Sequence, residues 1–208
     1  PRPSDPAHSA GVAQLAGDAA ARLGGRTMLL TTTLRALRAI GAQLHSRFDD
    51  SGALDVLVQG EMPKRRLIER FREGASAGRS GCILVASASF WEGVDVPGDA
   101  LQLVVIDKLP FPPPNDPLVE ARANRLNAQG RSAFNDHSLP EAAIALKQGA
   151  GRLIRSESDF GALVVCDTRL GAMGYGRRLL AALPAMRRLQ SDDAFQAWLG
   201  ELVTRTST

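Results

Sequence analysis

Residues 27–33 have the sequence Thr-Met-Leu-Leu-Thr-Thr-Thr, in which a short apolar run ends on three hydroxyl residues. Such a run is typical of a strand buried in a parallel sheet. Apolar side chains then recur with helical spacing, at Leu34, Leu37, Ile40 and Leu44. The stretch therefore predicts a strand that passes through a short turn into a helix, which is the repeating unit of an α/β fold.

The same alternation continues along the chain. Four further apolar runs predict strands at 54–58, 82–86, 101–106 and 161–166. Periodic apolar positions predict helices at 13–23, 62–72, 118–126, 139–153, 179–189 (interrupted near Pro184) and 195–202, besides the one that starts at Leu34. Together they predict a three-layer α/β sandwich with a mainly parallel central sheet and helices on both faces. We expect residues 1–24 to form a loosely packed helical lead-in and residues 25–208 to form the α/β domain.

The composition sets only broad limits on function. The chain carries 25 basic and 22 acidic residues, and this net charge of +3 permits contact with polyanions without indicating it. Cys82 and Cys166 lie inside apolar runs, which favours small buried hydrophobes over a disulfide or a metal site. From this use of cysteine we expect a reducing, cytoplasmic location. We expect no membrane span, because no apolar run approaches the necessary length. The chain starts at a proline instead of methionine, so we expect it to be part of a longer protein.

Two long loops follow predicted strands, at 90–99 and 108–117. Both leave the carboxyl ends of strands, where parallel sheets usually bind ligands. The first belongs to the segment 87–98, in which small hydroxyl residues and glycine can turn N–H groups toward a phosphate. Asp95 can accept a hydrogen bond from a sugar hydroxyl or pair with an arginine. The alternative is a structural turn in which Asp95 caps the backbone.

Three threonines, Thr31 to Thr33, immediately precede the helix predicted to start at Leu34. Hydroxyl groups beside a positive helix end form a standard site for a backbone phosphate. A capping role for Thr32 or Thr33 accounts for one of them, and threonine is also common in strands, so both interpretations stay open.

Residues 148–155 have the sequence Gln-Gly-Ala-Gly-Arg-Leu-Ile-Arg at the end of a predicted amphipathic helix. Arg152 and Arg155 are three residues apart, so on a helix they share a side and can bind one anion together. Gly151 permits a phosphate to come close, and Gln148 lies on the same face as Arg152. Such arginines can stabilise charge during phosphoryl transfer, but an exposed helix end fits the spacing equally well. A dinucleotide-binding loop is excluded, because the segment follows a helix and lacks the third glycine.

Taken in order, these segments resemble the motifs of the second RecA-like domain of superfamily 2 helicases. Leu29 to Thr33 is similar to the strand-loop that contacts the tracking strand, 93–97 to motif V, and 148–155 to motif VI. Six further matches narrow the resemblance to the DinG/XPD-like group: Phe90 to Asp95, Leu57 to Gly60, Leu109 to Pro114, Asn115 to Pro117, Asp167 with Arg169, and Tyr175 with Gly176. The resemblance extends from about Gly25 to Pro184 and implies a RecA-like fold.

The resemblance also implies site residues. The expected catalytic residues are two arginine fingers that reach the ATP phosphates and a glutamine that couples nucleotide state to the motor: Arg152, Arg155 and Gln148. The residues expected to border the nucleotide are Glu92, Gly93, Asp95 and Gly151. The residues expected to hold phosphates of single-stranded DNA are Thr31, Thr32, Thr33, Ser87 and Ser89. Such enzymes are expected to move in the 5′ to 3′ direction.

Two parts that such a motor requires are missing from the sequence. It contains no Gly-Lys pair, hence no phosphate-binding P-loop, and no Asp-Glu pair to supply the acidic magnesium motif. The iron–sulfur cluster of many relatives needs four cysteines, and the chain has two. We therefore expect a first motor domain to bind ATP and Mg²⁺, and this chain to be inactive alone and to bind no cofactor by itself.

The implied partners are single-stranded or forked DNA and the N-terminal motor domain of the same polypeptide, with no membrane and a monomeric state. The alternative function is a stand-alone nucleic-acid-binding or regulatory module that keeps the fold without the motor. A P-loop encoded upstream would select the motor, and a start codon just before Pro1 would select the module.

Overall fold

The central sheet is the framework on which the candidate site is built. The computed structural model describes residues 2–76, 79–87, 90, 100–153 and 160–206. Within these residues the strands are β1 (Thr27–Thr31), β2 (Leu54–Val58), β3 (Gly81–Ser87), β4 (Leu103–Ile106) and β5 (Ala162–Val165). All five run parallel, in the order β2-β3-β1-β4-β5. They confirm the five strands that the apolar runs predict.

The strand β1 lies at the centre of the sheet, between β3 and β4. Thr27 is in register with Ile83 on one side and with Leu103 on the other. All five residues of β1 are buried. A parallel strand that is covered on both faces has no need for alternating polar residues, which explains its nearly continuous apolar sequence.

Helices cover both faces of this sheet. In the described part of the chain they are α1 (His8–Leu23), α2 (Leu34–Phe48), α3 (Lys64–Glu73), α4 (Pro117–Ala128), α5 (Leu139–Ala150), α6 (Arg169–Ala172), α7 (Gly176–Ala182) and α8 (Asp192–Thr206). The helices α1, α2 and α8 pack on one face, and α3, α5 and α7 pack on the other. The predicted three-layer α/β sandwich is therefore confirmed.

The first helix packs closely against the domain. Ala16 and Ala20 of α1 are fully buried in the same core as α2 and α8. Asp18 of α1 forms a 2.7 Å ion pair with Arg47 of α2. The loose packing expected for residues 1–24 is not observed, because small side chains let α1 come close to its neighbours. The domain boundary at residue 24 stays a prediction.

The end of one predicted helix and the start of another differ from the structure. The helix predicted at 179–189 is wrong in its bounds, since α7 starts at Gly176 and ends at Ala182. Leu183 is extended (ψ 154°), as expected for a residue that precedes a proline. The helix α5 is preceded by a π-helical turn, Phe134–Ser138, which the sequence does not predict.

The two cysteines are neutral thiols within the fold. Cys82 is buried and Cys166 is half-buried. Burial raises the pKa of Cys82 to about 11 and the pKa of Cys166 to about 12. Both values favour the thiol over the reactive thiolate, in keeping with the structural role predicted for these residues. Among the described helices, none has the length and apolar character needed to cross a membrane.

Candidate nucleotide and nucleic-acid site

Three of the five strands end beside one another at the carboxyl edge of the sheet. Thr31, the last residue of β1, is in register with Ser87, the last residue of β3. On the other side of β1, Leu30 is in register with Ile106, the last residue of β4. The residues that follow these strands therefore meet at one edge, where ligands bind in open α/β sheets.

The three threonines at this edge have different environments. Thr31 is buried, and its hydroxyl donates to the carbonyl oxygen of Ala86 at 3.4 Å. Thr33 is exposed and is the N-cap of α2, since its hydroxyl accepts the N–H of Ala36 at 3.2 Å. Thr32 is half-buried between them. We call Thr31 to Thr33 the threonine loop. Its accessible surface consists of Thr32, Thr33 and the N-terminus of α2, which together can face a phosphate.

A buried carboxylate fixes the backbone of this loop. Asp107 follows β4 and is fully buried. Its Oδ1 accepts the N–H of Thr32 at 2.9 Å, while its Oδ2 has no hydrogen-bond partner among the described residues. The Nε2 of His8 donates to the carbonyl oxygen of Asp107 at 2.9 Å, which ties the start of α1 to the same point. Asp107 is a positioning residue that sequence reasoning missed.

Burial raises the pKa of the Asp107 carboxyl to about 6, although hydrogen bonds from the backbone of Thr32 and Lys108 lower it. The folded state therefore holds this proton more tightly than the unfolded chain, in which the pKa is near 3.8. The resulting stabilisation is complete below about pH 4 and is lost as the pH rises through about 6. The difference between a pKa of 3.8 and one of about 6 corresponds to about 3 kcal/mol.

We expect Asp107→Asn to flatten this pH dependence. Asparagine can still accept the N–H of Thr32 but carries no charge to bury, so the variant should gain about 1–3 kcal/mol over the wild type at pH 7.5 and little at about pH 3.5. Urea denaturation at the two pH values measures the difference. Asp50→Asn, at an exposed position, is the control. Equal gains at both pH values would contradict the expectation.

A glutamine fixes the end of β3. Both the N–H and the hydroxyl of Ser87 donate to the Oε1 of Gln59, at 2.8 and 2.9 Å. The N–H of Gln59 donates in turn to Val85 at 2.9 Å. The DNA contact predicted for Ser87 stays a prediction, and in the structure this hydroxyl donates to Gln59.

The segment with the paired arginines starts at the opposite edge of the sheet. The helix α5 ends at Ala150, and the chain continues in turns over 151–153. The N–H of Gly151 donates to the carbonyl oxygen of Lys147 at 2.9 Å, and the N–H of Leu153 donates to that of Ala150 at 3.0 Å. Leu153 is buried and lies against Gly161, just before β5 starts. Gln148 and Gly151 are exposed, and Arg152 is half-buried. These three residues therefore lie near the amino ends of the strands, apart from the threonine loop.

Residues 18–186 match a family model described as helicase C-terminal domain. The chain belongs to this family. ATP-dependent DNA helicase YoaA of Haemophilus influenzae is 44% identical over 164 residues, which are 79% of this chain and 24% of that protein. ATP-dependent helicase DinG of Mycobacterium tuberculosis is 38% identical over 184 residues, with 82% of this chain and 26% of that protein covered. The chain thus spans about a quarter of the length of these relatives.

A solved structure named XPD helicase superposes with a TM-score of 0.58 at 17% identity, over 85% of this chain and 31% of that one. At this identity the likeness concerns the fold alone, and it confirms the RecA-like architecture. Family membership and the two named relatives confirm the resemblance to DinG/XPD-like helicases.

Five of the predicted site residues lie outside the described residues: Ser89, Glu92, Gly93, Asp95 and Arg155. Their roles stay predictions. The roles of Gln148, Gly151 and Arg152 also stay predictions, because the structure gives the location of these residues and not their contacts with a nucleotide.

Proposed function

We propose that this chain is the second motor domain of an ATP-dependent DNA helicase of the DinG/XPD-like group, which moves along single-stranded DNA in the 5′ to 3′ direction. One observation carries the proposal: residues 18–186 match the helicase C-terminal domain family, whereas the 208 residues contain no P-loop. The ATP site of the proposed motor therefore needs a second domain, to which this chain contributes.

The threonine loop is the proposed contact for the DNA backbone. The N-terminus of α2 carries a partial positive charge, and the first turn of the helix contains no acidic residue. Arg35 in that turn is exposed and adds a full positive charge. Because Asp107 holds the N–H of Thr32 and Thr33 caps the helix, the loop is organised before DNA arrives. A preorganised loop binds a phosphate at a smaller cost in conformational entropy than a disordered loop does.

The proposed role of Arg152 and Arg155 lies at the ATP phosphates. Negative charge spreads over the transferred phosphoryl group in the transition state, and a guanidinium can pair with two of its oxygens. The buried side chain of Leu153 anchors the chain to the core next to Arg152. We propose that ATP and Mg²⁺ are held mainly by the first motor domain and that the arginines complete the site from the other side of the cleft.

A strand-displacement assay with the full-length protein tests the function. With ATP present, the protein is expected to unwind a duplex that carries a 5′ single-stranded tail and not a duplex that carries only a 3′ tail. Unwinding from the 3′ tail alone would contradict the polarity. DNA binding without any ATP hydrolysis by the full-length protein would select the alternative, a nucleic-acid-binding module.

The 208-residue chain by itself is expected to bind single-stranded DNA weakly and to hydrolyse no ATP. Binding through phosphate contacts should weaken steeply as salt rises, because bound cations are released from the DNA. Fluorescence anisotropy with an oligothymidylate at 50 and 200 mM salt measures the binding, and phosphate release measures turnover. Robust turnover by the chain alone would contradict the assignment of the P-loop to another domain.

A further inference from the structure

Three sequence motifs that have no role in the proposed site meet at one place in the structure. These motifs are Leu109 to Pro114, Asp167 with Arg169, and Tyr175 with Gly176. The side chain of Asp167 is fully buried and accepts the N–H of Leu109 at 2.9 Å. It also forms a 2.7 Å ion pair with the guanidinium of Arg169. Burial alone would raise the pKa of Asp167, but these hydrogen bonds lower it below its ordinary value, so the pair is charged.

This ion pair supports a cluster of aromatic rings. The guanidinium carbon of Arg169 lies 5.7 Å from the centre of the Phe111 ring. The Phe111 ring contacts the rings of Tyr175 and Phe134, with centroids 5.7 and 5.6 Å apart. The Phe134 and Tyr175 centroids are 5.2 Å apart. We call Phe111, Phe134 and Tyr175 the aromatic cluster.

The aromatic cluster is partly open to solvent. Phe134 is 40% exposed, and Phe111 and Tyr175 are half-buried. A cluster that served only the core is expected to be covered. Partly exposed aromatic rings that are held from below by an ion pair are a rigid apolar surface. Such a surface is suited to a flat, apolar ligand.

The surroundings of the aromatic cluster favour an anionic ligand. Arg177 and Arg178 lie two and three residues after Tyr175, and both are exposed. Among the described residues neither has a carboxylate partner, and the guanidinium of Arg178 donates to the amide oxygen of Asn135, beside Phe134, at 3.2 Å. The acidic residue Asp136 nearby is already paired with Arg131, at 3.1 Å. Rings that bind flat groups and positive charge that binds phosphates are the combination found in single-strand binding sites.

The position of the aromatic cluster agrees with this ligand. Phe111 follows β4 and Tyr175 follows β5, so the cluster lies at the carboxyl edge of the sheet. The threonine loop follows β1 at the same edge. Only β4 separates β1 from β5, which places them about 10 Å apart.

We propose that the aromatic cluster is a platform on which a base of single-stranded DNA stacks. The threonine loop and Arg178 bind the phosphate backbone of the same DNA strand. The platform rests on the proposed function, because it serves the same DNA track. Phe134 offers the most exposed ring for stacking. Arg169 and Asp167 position the platform without contacting the base.

Phe134→Leu in the full-length protein tests the platform, because leucine keeps the site apolar but cannot stack. The probes are a fluorescein-labelled oligothymidylate and an abasic oligonucleotide of the same length, measured by anisotropy without ATP. We expect the variant to bind the oligothymidylate about tenfold more weakly, the loss typical of one stacked base. Affinity for the abasic strand should change less than about twofold, because its phosphates are still bound.

Phe160→Leu is the matched control, since Phe160 is similarly exposed but lies before β5, at the other edge of the sheet. It should leave both affinities unchanged, and Phe134→Trp should retain binding. Unchanged binding of the oligothymidylate by Phe134→Leu would overturn the platform. Equal losses of affinity for the two oligonucleotides would also overturn it. Such a result would indicate that Phe134 serves contacts within the protein or that the variant is misfolded. If the wild-type protein bound neither strand, the proposed function itself would fail.

Discussion

Replacing Arg155 with alanine in the full-length protein is expected to lower DNA-stimulated ATP hydrolysis by about 10³-fold or more. The reason is electrostatic: a guanidinium at the transferred phosphoryl group stabilises charge that exists mainly in the transition state. An interaction of that kind contributes to turnover and little to the ground-state binding of ATP, and it involves no contact with DNA. The affinity for single-stranded DNA should therefore stay within about twofold of the wild type. Steady-state phosphate release and DNA anisotropy on the same preparation measure both quantities.

Two further variants distinguish an arginine finger at the ATP phosphates from a general effect of positive charge on hydrolysis. Arg152→Ala should also lower hydrolysis strongly, because Arg152 and Arg155 are proposed to act on the same phosphates. Lys147→Ala removes an exposed cation from the same helix, α5, and should leave turnover unchanged. Full retention of hydrolysis by Arg155→Ala would remove the arginine-finger assignment, whatever the result for Arg152.

The fold could be predicted because local patterns determine most of it. Parallel strands buried on both faces, such as Thr27–Thr31, leave a continuous apolar signature that few other short segments share. Thr33 is a local capping signal, and the structure places it at the N-cap of α2. The π-helical turn at Phe134–Ser138 leaves no such signature, since its backbone depends on how α5 joins the residues before it.

The parts of the site that could not be predicted rest on distant contacts. Thr32 and Asp107 are 75 residues apart, and Gln59 and Ser87 are 28 residues apart. Each pair meets only because β1, β3 and β4 are neighbours with a particular register, which no single stretch of sequence specifies. Many of the predicted site residues were identified because their motifs resemble those of DinG/XPD-like helicases. The hydrogen bonds that hold those residues in position required the structure.

The aromatic cluster illustrates the same limit. Leu109 to Pro114 and Tyr175 with Gly176 are recognisable motifs, yet the sequence assigns them no common role. The hydrogen bond from Leu109 to Asp167 joins two loops that are 58 residues apart. Chemistry shared by distant loops becomes visible only when the sheet brings their ends together.

Gly176→Ala is expected to lower the free energy of unfolding of the 208-residue chain by about 2–3 kcal/mol. A Cβ at Gly176 would lie 1.9 Å from the carbonyl oxygen of Leu170, so α6 and α7 would have to move apart. Backbone atoms cannot yield as a flexible side chain does. The loss corresponds to a decrease in Tm of roughly 5–10 °C for a domain of this size.

Gly171→Ala is the control that separates this steric effect from the general effect of adding a methyl group. Gly171 lies in α6, is exposed, and has open space around the position of its Cβ. Alanine there should leave stability unchanged or raise it by up to about 1 kcal/mol, because alanine favours a helical backbone. The two variants should also differ in DNA binding, since displacement of α7 moves the neighbouring Tyr175 within the aromatic cluster. If both variants had wild-type stability by urea denaturation, the close approach of α6 and α7 could not be the reason for glycine at position 176.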